Sequence, residues 1–307
     1  MESAPVLRSQ LLARGYTDDE VRRFGRRLVS VRPGAYVAPD DERLGAPESR
    51  HLLAVRAAVS QVATGSVVSH VSAAVLHGIA VWDVPLDRVH VTRPGNSGGR
   101  RSRHLQLHVA PLPPEEIVVV DGIAVTSIAR TVADLARTVP FEQAVVIADN
   151  ALFRGRSDDR ARFGPVDLAA ALARAPRRHG AAAAWRVSAF ANGLAESPGE
   201  SRSRVAILGA GLPMPELQVV LHSAEGRPLG RVDFWWPAHC VVGEFDGRVK
   251  YGRLLRPGQS PGDAVFAEKV REDALREPGR KVARWTWGEL DPFDPVDRRL
   301  RRALGMP

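Results

Sequence analysis

Two acidic side chains in the last third of the chain have surroundings that suit metal chemistry. Asp233 lies in the strand-like segment 231–236, and Glu244 lies in the strand-like segment 240–246. Because side chains alternate along a strand, each acid belongs to one face of its segment. A two-residue turn at residues 237–238 places the carboxylates diagonally across the pair, whereas a four-residue loop places them directly opposite each other. Either register lets them share one cation, and a one-residue slip separates them.

Two further acids join this pair. Glu200 begins a predicted helix, and Asp246 shares the strand face of Glu244. Carboxylates gathered in one place repel each other unless a cation neutralises them. Oxygen ligands favour Mg²⁺ or Mn²⁺, and such an ion generates hydroxide and stabilises the charge on a phosphodiester during cleavage. The pattern predicts Asp233 and Glu244 as metal ligands. The plain alternatives are a surface ion pair for Glu200 and a turn residue for Asp246.

The segments around these acids predict a separate α/β domain over residues 196–307. Hydrophobic alternation and turn residues give the element order αβββαβ. The predicted helices cover residues 200–208 and 265–276, and the predicted strands cover 217–221, 231–236, 240–246 and 281–287.

This order and these residues resemble the PD-(D/E)XK nuclease superfamily, and in particular its very-short-patch-repair-like domains. The resemblance covers about residues 196–290. The matching stretches are ESRSR at 200–204, RVDFWWP at 231–237, EFDG at 244–247, EKVRED at 268–273 and VARWTW at 282–287. The resemblance implies a restriction-endonuclease-like fold. It also implies that Asp233 and Glu244 are the metal-binding pair and that Glu200 is the carboxylate of the first helix.

The chain departs from the superfamily pattern at one position. The superfamily's lysine is expected two residues after Glu244, where this chain has Asp246. Lys250, or Lys269 from the following helix, is the candidate to supply that charge. Two outcomes stay open. Either the domain is a working nuclease, or catalysis has been lost and the domain only binds or packs.

The first 45 residues form a small segment that is basic. Thr17 and Glu20 form a capping-box pattern that predicts a helix running to about residue 27. Two short strands, 28–32 and 35–37, are joined by a Pro-Gly turn. Helices followed by a basic hairpin are typical of a winged helix-turn-helix, and the alternative is a solvated helical cap. The predicted DNA-binding residues are Arg22, Arg23, Arg26, Arg27 and Arg32.

This front region also resembles a known family. LLARGYT at 11–17, RPGAYV at 32–37 and VTSIARTVADLAR at 125–137 are similar to stretches of AbiEi-type antitoxins, and the resemblance covers about residues 5–150. It implies a DNA-binding autoregulator of a type IV toxin–antitoxin operon. The partner toxin in that family is a nucleotidyltransferase, which the antitoxin does not need to touch.

The remaining segments give the domain plan. Residues 1–45 are expected to form the winged-helix-like segment, 46–153 a central α/β unit and 154–195 a helical linker before the nuclease-like domain. The fold class is therefore α/β (α+β). Five histidines in the central unit show no metal-ligand spacing and are expected to be surface or packed residues. The single cysteine, Cys240, is expected to be a buried strand residue.

Composition sets the outer limits of function. Lys and Arg number 43 against 35 Asp and Glu in 307 residues, a balance that permits binding to a polyanion such as double-stranded DNA. No apolar run approaches the roughly 20 residues that cross a bilayer, and no signal peptide is evident, so a cytoplasmic protein is expected. Two functions stay open: a DNA-binding regulator with a nuclease-like domain, or a Mg²⁺-dependent DNA endonuclease.

Overall fold

A computed structural model describes residues 4–157, 162–174, 179–223, 225–247 and 279–307. Within these residues the protein is a mixed α/β structure with three sheets. The chain divides into two compact units, Met1–Ala191 and Asn192–Pro307. The division falls four residues before the boundary expected at residue 196. None of the helices in the described part is long and apolar enough to cross a membrane.

The first unit begins with a small three-stranded sheet and two helices. Thr17 caps the second helix: its side chain accepts from the Glu20 nitrogen, and Glu20 reaches back to the Thr17 nitrogen. The hairpin turns at Gly34, whose φ of +72° suits a residue without a Cβ. The sheet order is β1-β3-β2. The elements are β1 (Val6–Leu7), α1 (Arg8–Ala13), α2 (Asp18–Gly25), β2 (Val29–Arg32) and β3 (Ala35–Val37).

A six-stranded mixed sheet forms the centre of the first unit. Its order is β6-β7-β5-β4-β9-β8, with β5 parallel to β7 and β4 parallel to β9. Its buried Val and Ala side chains pack with those of two helices. The elements are α3 (Pro47–Val59), β4 (Val67–Val68), α4 (His70–Leu76), β5 (Val89–Pro94), β6 (Arg100–Arg101), β7 (Leu105–Ala110), β8 (Ile117–Val120) and β9 (Ile123–Thr126).

Four helices complete the first unit, and their inner faces are rich in Ala, Val and Leu. Gly180 begins the last of them with a φ of +77°, and a Cβ there would come within 2.2 Å of a backbone oxygen. The helices are α5 (Ile128–Thr138), α6 (Phe141–Ser157), α7 (Pro165–Ala173) and α8 (Ala181–Phe190).

The second unit is a four-stranded sheet with a helix before it and a helix after it. Strands β10, β11 and β12 are antiparallel neighbours, and β13 runs parallel to β12. Phe234 and Trp285 are almost fully buried in its core, and the Trp285 indole donates to the Ser203 hydroxyl at 2.7 Å. The elements are α9 (Pro198–Gly209), β10 (Glu216–His222), β11 (Pro228–Trp236), β12 (Val241–Asp246), β13 (Lys281–Thr286) and α10 (Asp294–Leu304).

Two details of the second unit differ from the sequence-based expectations. Cys240 is exposed and ends the loop between β11 and β12 with a φ of +52°, so it is not a buried strand residue. The closing helix α10 was not expected. The helix expected at 265–276 lies outside the described residues.

Candidate functional site

The loop between β11 and β12 settles the relation between the two predicted metal ligands. Trp236 pairs with Val241, which leaves four residues in the connection. Continuing this register places Asp233 directly opposite Glu244, as the four-residue alternative expects. The Phe245 backbone nitrogen donates to Asp233 Oδ2 at 2.9 Å, which ties the two strands together at this point.

Two hydrogen-bond donors, Arg284 and Gln218, continue the row on either side of this pair. Arg284 of β13 is the register partner of Glu244, and its Nε and Nη2 lie 2.9 and 2.8 Å from Glu244 Oε2. Gln218 of β10 lies opposite Asp233, between two registered neighbour pairs. Its amide donates to Asp233 Oδ1 at 3.4 Å. A polar row, Gln218–Asp233–Glu244–Arg284, therefore crosses all four strands.

Glu200, in the first turn of α9, extends this polar row because it accepts a hydrogen bond from Gln218. Its Oε2 accepts from the Glu196 nitrogen at 3.0 Å and from the Gln218 amide at 2.9 Å, and its Oε1 accepts from the Ser197 hydroxyl at 2.7 Å. Burial, with a further contribution from the negative charge of Asp233, raises the pKa of Glu200 above its usual range. The structure thus brings three of the four predicted acids together.

Gln218 was not singled out by sequence reasoning, and its backbone is unusual. Its φ of +55° is rare for a residue with a Cβ, and conformations of this kind cost about 1–3 kcal/mol. The amide that this conformation presents reaches both Glu200 and Asp233. An isolated positive φ inside a strand leaves no trace in hydrophobic alternation, so only coordinates reveal it.

The remaining predicted catalytic residues are less informative. Asp246 ends β12, where it is the register partner of Thr286, and it is half-buried. Lys250 and Lys269 lie outside the described residues.

The described side chains do not fit a Mg²⁺ or Mn²⁺ ion in this arrangement. A hard cation needs carboxylate oxygens that are available to it. Here a guanidinium occupies Glu244 Oε2, a backbone N–H occupies Asp233 Oδ2, and an amide joins Asp233 to Glu200. The Arg284 guanidinium supplies positive charge at Glu244, and neutral groups donate hydrogen bonds to Asp233 and Glu200.

Four of the five predicted DNA-binding arginines are exposed. Arg22, Arg23, Arg26 and Arg27 lie on or just after α2, and only Arg22 has an ion-pair partner in the described part of the chain, Asp19 at 3.3 Å. Their placement follows from Val21, which turns the opposite face of α2 into the core.

Arg32 is placed differently. It lines a cavity of about 580 Å³ in the first unit, together with Arg50, Arg88 and Arg103. Its Nε and Nη1 are buried and find no hydrogen-bond acceptor among the described residues, and burial lowers the pKa of its guanidinium. Arg32 therefore faces inward from the hairpin, so it does not extend the exposed arginine surface of α2.

Three histidines that showed no metal-ligand spacing in the sequence come together in the first unit. His70, His90 and His108 each offer a ligand nitrogen within 4.8 Å of the others. Burial and the neighbouring His108 lower the pKa of His90 to about 3, and burial lowers the pKa of His108. The three residues are packed, as expected of histidines without metal-ligand spacing, but their convergence was not predicted because it depends on the parallel pairing of β5 with β7.

The comparisons with known proteins identify similar proteins whose names state no function. No family profile matches the chain. Two proteins of Mycobacterium tuberculosis, named Uncharacterized protein Rv2248 and Uncharacterized protein MT2308, are each 29% identical to it over 286 residues. The aligned region covers 89% of this chain and 96% of each relative, so the similarity runs through both compact units.

Proposed function

We propose that this protein is a DNA-binding regulator that resembles a type IV antitoxin and carries a nuclease-like second unit that does not cleave. The observation that carries the proposal is the exposed arginine surface of α2, formed by Arg22, Arg23, Arg26 and Arg27. Residues 22–27 contain these four arginines and no acid. Such a surface suits the phosphates of a duplex, whose contacts set the position and orientation of a DNA-binding protein.

The surrounding fold supports this reading. The capped helix α2 is followed by the hairpin of β2 and β3, and β1 pairs with β3 to complete a small sheet. A helix is narrow enough to enter the major groove, while a hairpin beside it is suited to the backbone. Three of the four arginines have no ion-pair partner in the described part of the chain, so their charge is available to phosphate.

Salt-dependent binding measures this contribution directly. Each phosphate contact contributes about −0.9 to the slope of log Kobs against log salt concentration. In fluorescence anisotropy on the protein's own promoter, changing Arg23, Arg26 and Arg27 together to Ala should make that slope shallower by about 2–3. Binding should weaken on promoter and random duplex alike, because phosphate contacts carry little sequence information.

A variant with equal charge loss serves as the control. Arg227, Arg298 and Arg302 are exposed arginines of the second unit. Changing these three to Ala removes the same net charge and should leave the slope unchanged. Equal losses in the two variants, or no preference of the wild type for its promoter over random duplex at any salt concentration, would remove the regulator proposal.

The antitoxin-like resemblance also proposes a functional partner, a nucleotidyltransferase toxin encoded in the same operon. Co-expression tests this relation without assuming physical contact. Growth restored by the wild-type chain in cells that express the toxin would support it. Growth arrest that persists at equal toxin levels would oppose it.

The alternative function is a Mg²⁺-dependent endonuclease, and the observation that favours it is Asp233 opposite Glu244 with Glu200 nearby. It requires Arg284 to leave Glu244. Nicked, mismatched and single-stranded DNA incubated with Mg²⁺ or Mn²⁺ separate the two functions. We expect no cleavage by the wild type. Cleavage that disappears in Glu244→Ala would establish the endonuclease instead.

A further inference from the structure

We propose that His70, His90 and His108 form a binding site for a transition-metal ion, with Zn²⁺ as the expected occupant. The site lies in the first unit and does not depend on the proposed DNA-binding function. The proposal rests on the close approach of three side chains: each of the three rings offers a nitrogen within 4.8 Å of the other two. His90 Nδ1 and His108 Nε2 are already 3.1 Å apart.

Secondary structure explains why two of the rings meet. His90 pairs with Gln106 across the parallel strands β5 and β7, and His108 lies two residues further along β7, opposite Thr92. A separation of two residues returns to the same face of a strand. The rings of His90 and His108 therefore project from the same side of the sheet.

The His70 ring reaches the other two from a residue with an unusual backbone conformation. His70 is the first residue of α4 and has a φ of +51°, a conformation that residues with a Cβ rarely adopt and that tends to occur at functional sites. Its Nδ1 lies 3.0 Å from the Ser69 hydroxyl, which in turn accepts from Thr92 at 2.8 Å. Ser69 thus orients the His70 ring toward the two strand histidines.

The chemistry of the donors favours a borderline metal. A neutral imidazole has the lone pair that a metal ligand needs, and histidine is the commonest metal ligand in proteins. Nitrogen donors suit Zn²⁺, Co²⁺, Ni²⁺ and Cu²⁺, whereas Mg²⁺ and Ca²⁺ prefer oxygen. Three histidines leave a fourth tetrahedral position for water, as in zinc sites that bind a further ligand.

Binding requires one defined rearrangement. A Zn–N distance of about 2.0–2.1 Å in a tetrahedron corresponds to about 3.3 Å between ligand nitrogens. The His90–His108 pair already has nearly this spacing. The His70 and His108 rings, however, are stacked at 3.6 Å with 13° between their planes. Because a lone pair lies in the plane of its ring, His70 must turn out of this stack when the metal binds.

The experiment uses the full chain without a histidine tag, freed of metal and titrated with Zn²⁺ against a chromogenic chelator. We expect one tight site per chain. His108→Ala should lower the Zn²⁺ affinity more than 100-fold, because losing only an outer hydrogen-bond partner of a metal ligand already costs about 10–100-fold. The matched control variants His104→Ala and His222→Ala should bind Zn²⁺ like the wild type.

A second variant keeps the test decisive if His108→Ala does not fold. Cys is also a zinc ligand, so His108→Cys should retain the metal. Its Co²⁺ complex should gain a thiolate-to-metal charge-transfer band that the wild-type complex lacks. Two outcomes would overturn the proposal: wild-type Zn²⁺ binding no tighter than that of His108→Ala, or a His108→Cys complex without the thiolate band.

Discussion

Glu244 and Arg284 are register partners on the parallel strands β12 and β13, and the guanidinium binds a single oxygen of the carboxylate at 2.8–2.9 Å. In the nuclease-like interpretation proposed above, Glu244 is an expected metal ligand. The guanidinium of Arg284 binds this same carboxylate. The same acid therefore holds two strands together, and this is why we propose a second unit that does not cleave.

Removing that arginine tests the role of the pair. Arg284→Ala removes the charged hydrogen bonds that the guanidinium donates to the buried Glu244 carboxylate, and we expect a loss of about 1.5–3 kcal/mol in the free energy of unfolding. Adding Glu244→Gln to Arg284→Ala should recover part of the loss, because a neutral amide is cheaper to bury than a carboxylate. Urea unfolding of the two single variants and the double variant gives the coupling energy.

Arg227→Ala provides the control for this cycle. Arg227 lies 3.8 Å from Glu225 in a largely exposed pair, where losses are about 0–1 kcal/mol. Additive effects of Arg284→Ala and Glu244→Gln would contradict the pairing.

Glu200 gives the second unit a defined pH dependence. Because its pKa is raised in the folded state, the folded protein binds this proton more tightly than the unfolded chain does. The contribution of Glu200 to stability therefore grows as pH falls from neutral through the raised pKa, and it is complete below the ordinary value of 4.5. Glu200→Gln cannot titrate, so this gain should be missing.

Denaturant unfolding of wild type and Glu200→Gln at several pH values between 7 and 4 measures the difference. We expect the stability of the wild type relative to the variant to increase toward acid. A difference that stays constant with pH, or that moves in the other direction, would contradict the raised pKa.

Gly243 of β12 lies against the two tryptophans of the core. A Cβ at this position would come within 2.7 Å of the Trp285 ring and 2.9 Å of the Trp236 ring. Gly243→Ala should therefore destabilise the second unit by about 1–3 kcal/mol through overpacking. Gly209→Ala at the end of α9 meets nothing within 4 Å and should be neutral or slightly stabilising. Thermal unfolding of both variants checks the contrast.

Sequence reasoning found the elements around the candidate site more readily than the contacts within it. Alternation places Asp233 and Glu244 on strands, but the loop length that sets their register depends on Cys240, whose positive φ no pattern predicts. The pairing of Glu244 with Arg284 depends on a parallel register between segments about 40 residues apart. Because β12 and β13 are not joined by a short turn, turn geometry does not set the register between them.

The histidine cluster illustrates the same limit. His90 and His108 meet only because β5 and β7 are parallel neighbours, and His70 reaches them from a strained backbone position. The spacing of these histidines along the chain indicates neither the pairing of β5 with β7 nor the backbone conformation of His70. The exposed arginines of α2 were easier to predict from the sequence, because a capping box and one buried face together define the outer surface of a short helix.

A buried charge network in the first unit provides the last prediction. Arg130 of α5 binds Asp134 through Nε at 2.7 Å and also binds Glu116, and all three side chains are at most 6% exposed. Arg174 approaches the same Glu116 at 2.8 Å from a side chain that is 45% exposed. Arg130→Met should cost about 1.5–3 kcal/mol, because it removes charged hydrogen bonds from two buried carboxylates, which keep Arg137 and Arg174 as partners.

Arg174→Ala removes an arginine from the same acid but should cost at most about 1 kcal/mol, because its charge is largely solvated. Urea unfolding of the two variants, monitored by circular dichroism, compares a buried and an exposed partner of one carboxylate. Equal losses would mean that burial does not decide the strength of this network. A loss confined to Arg130→Met would identify Arg130, in the antitoxin-like stretch 125–137, as a structural residue.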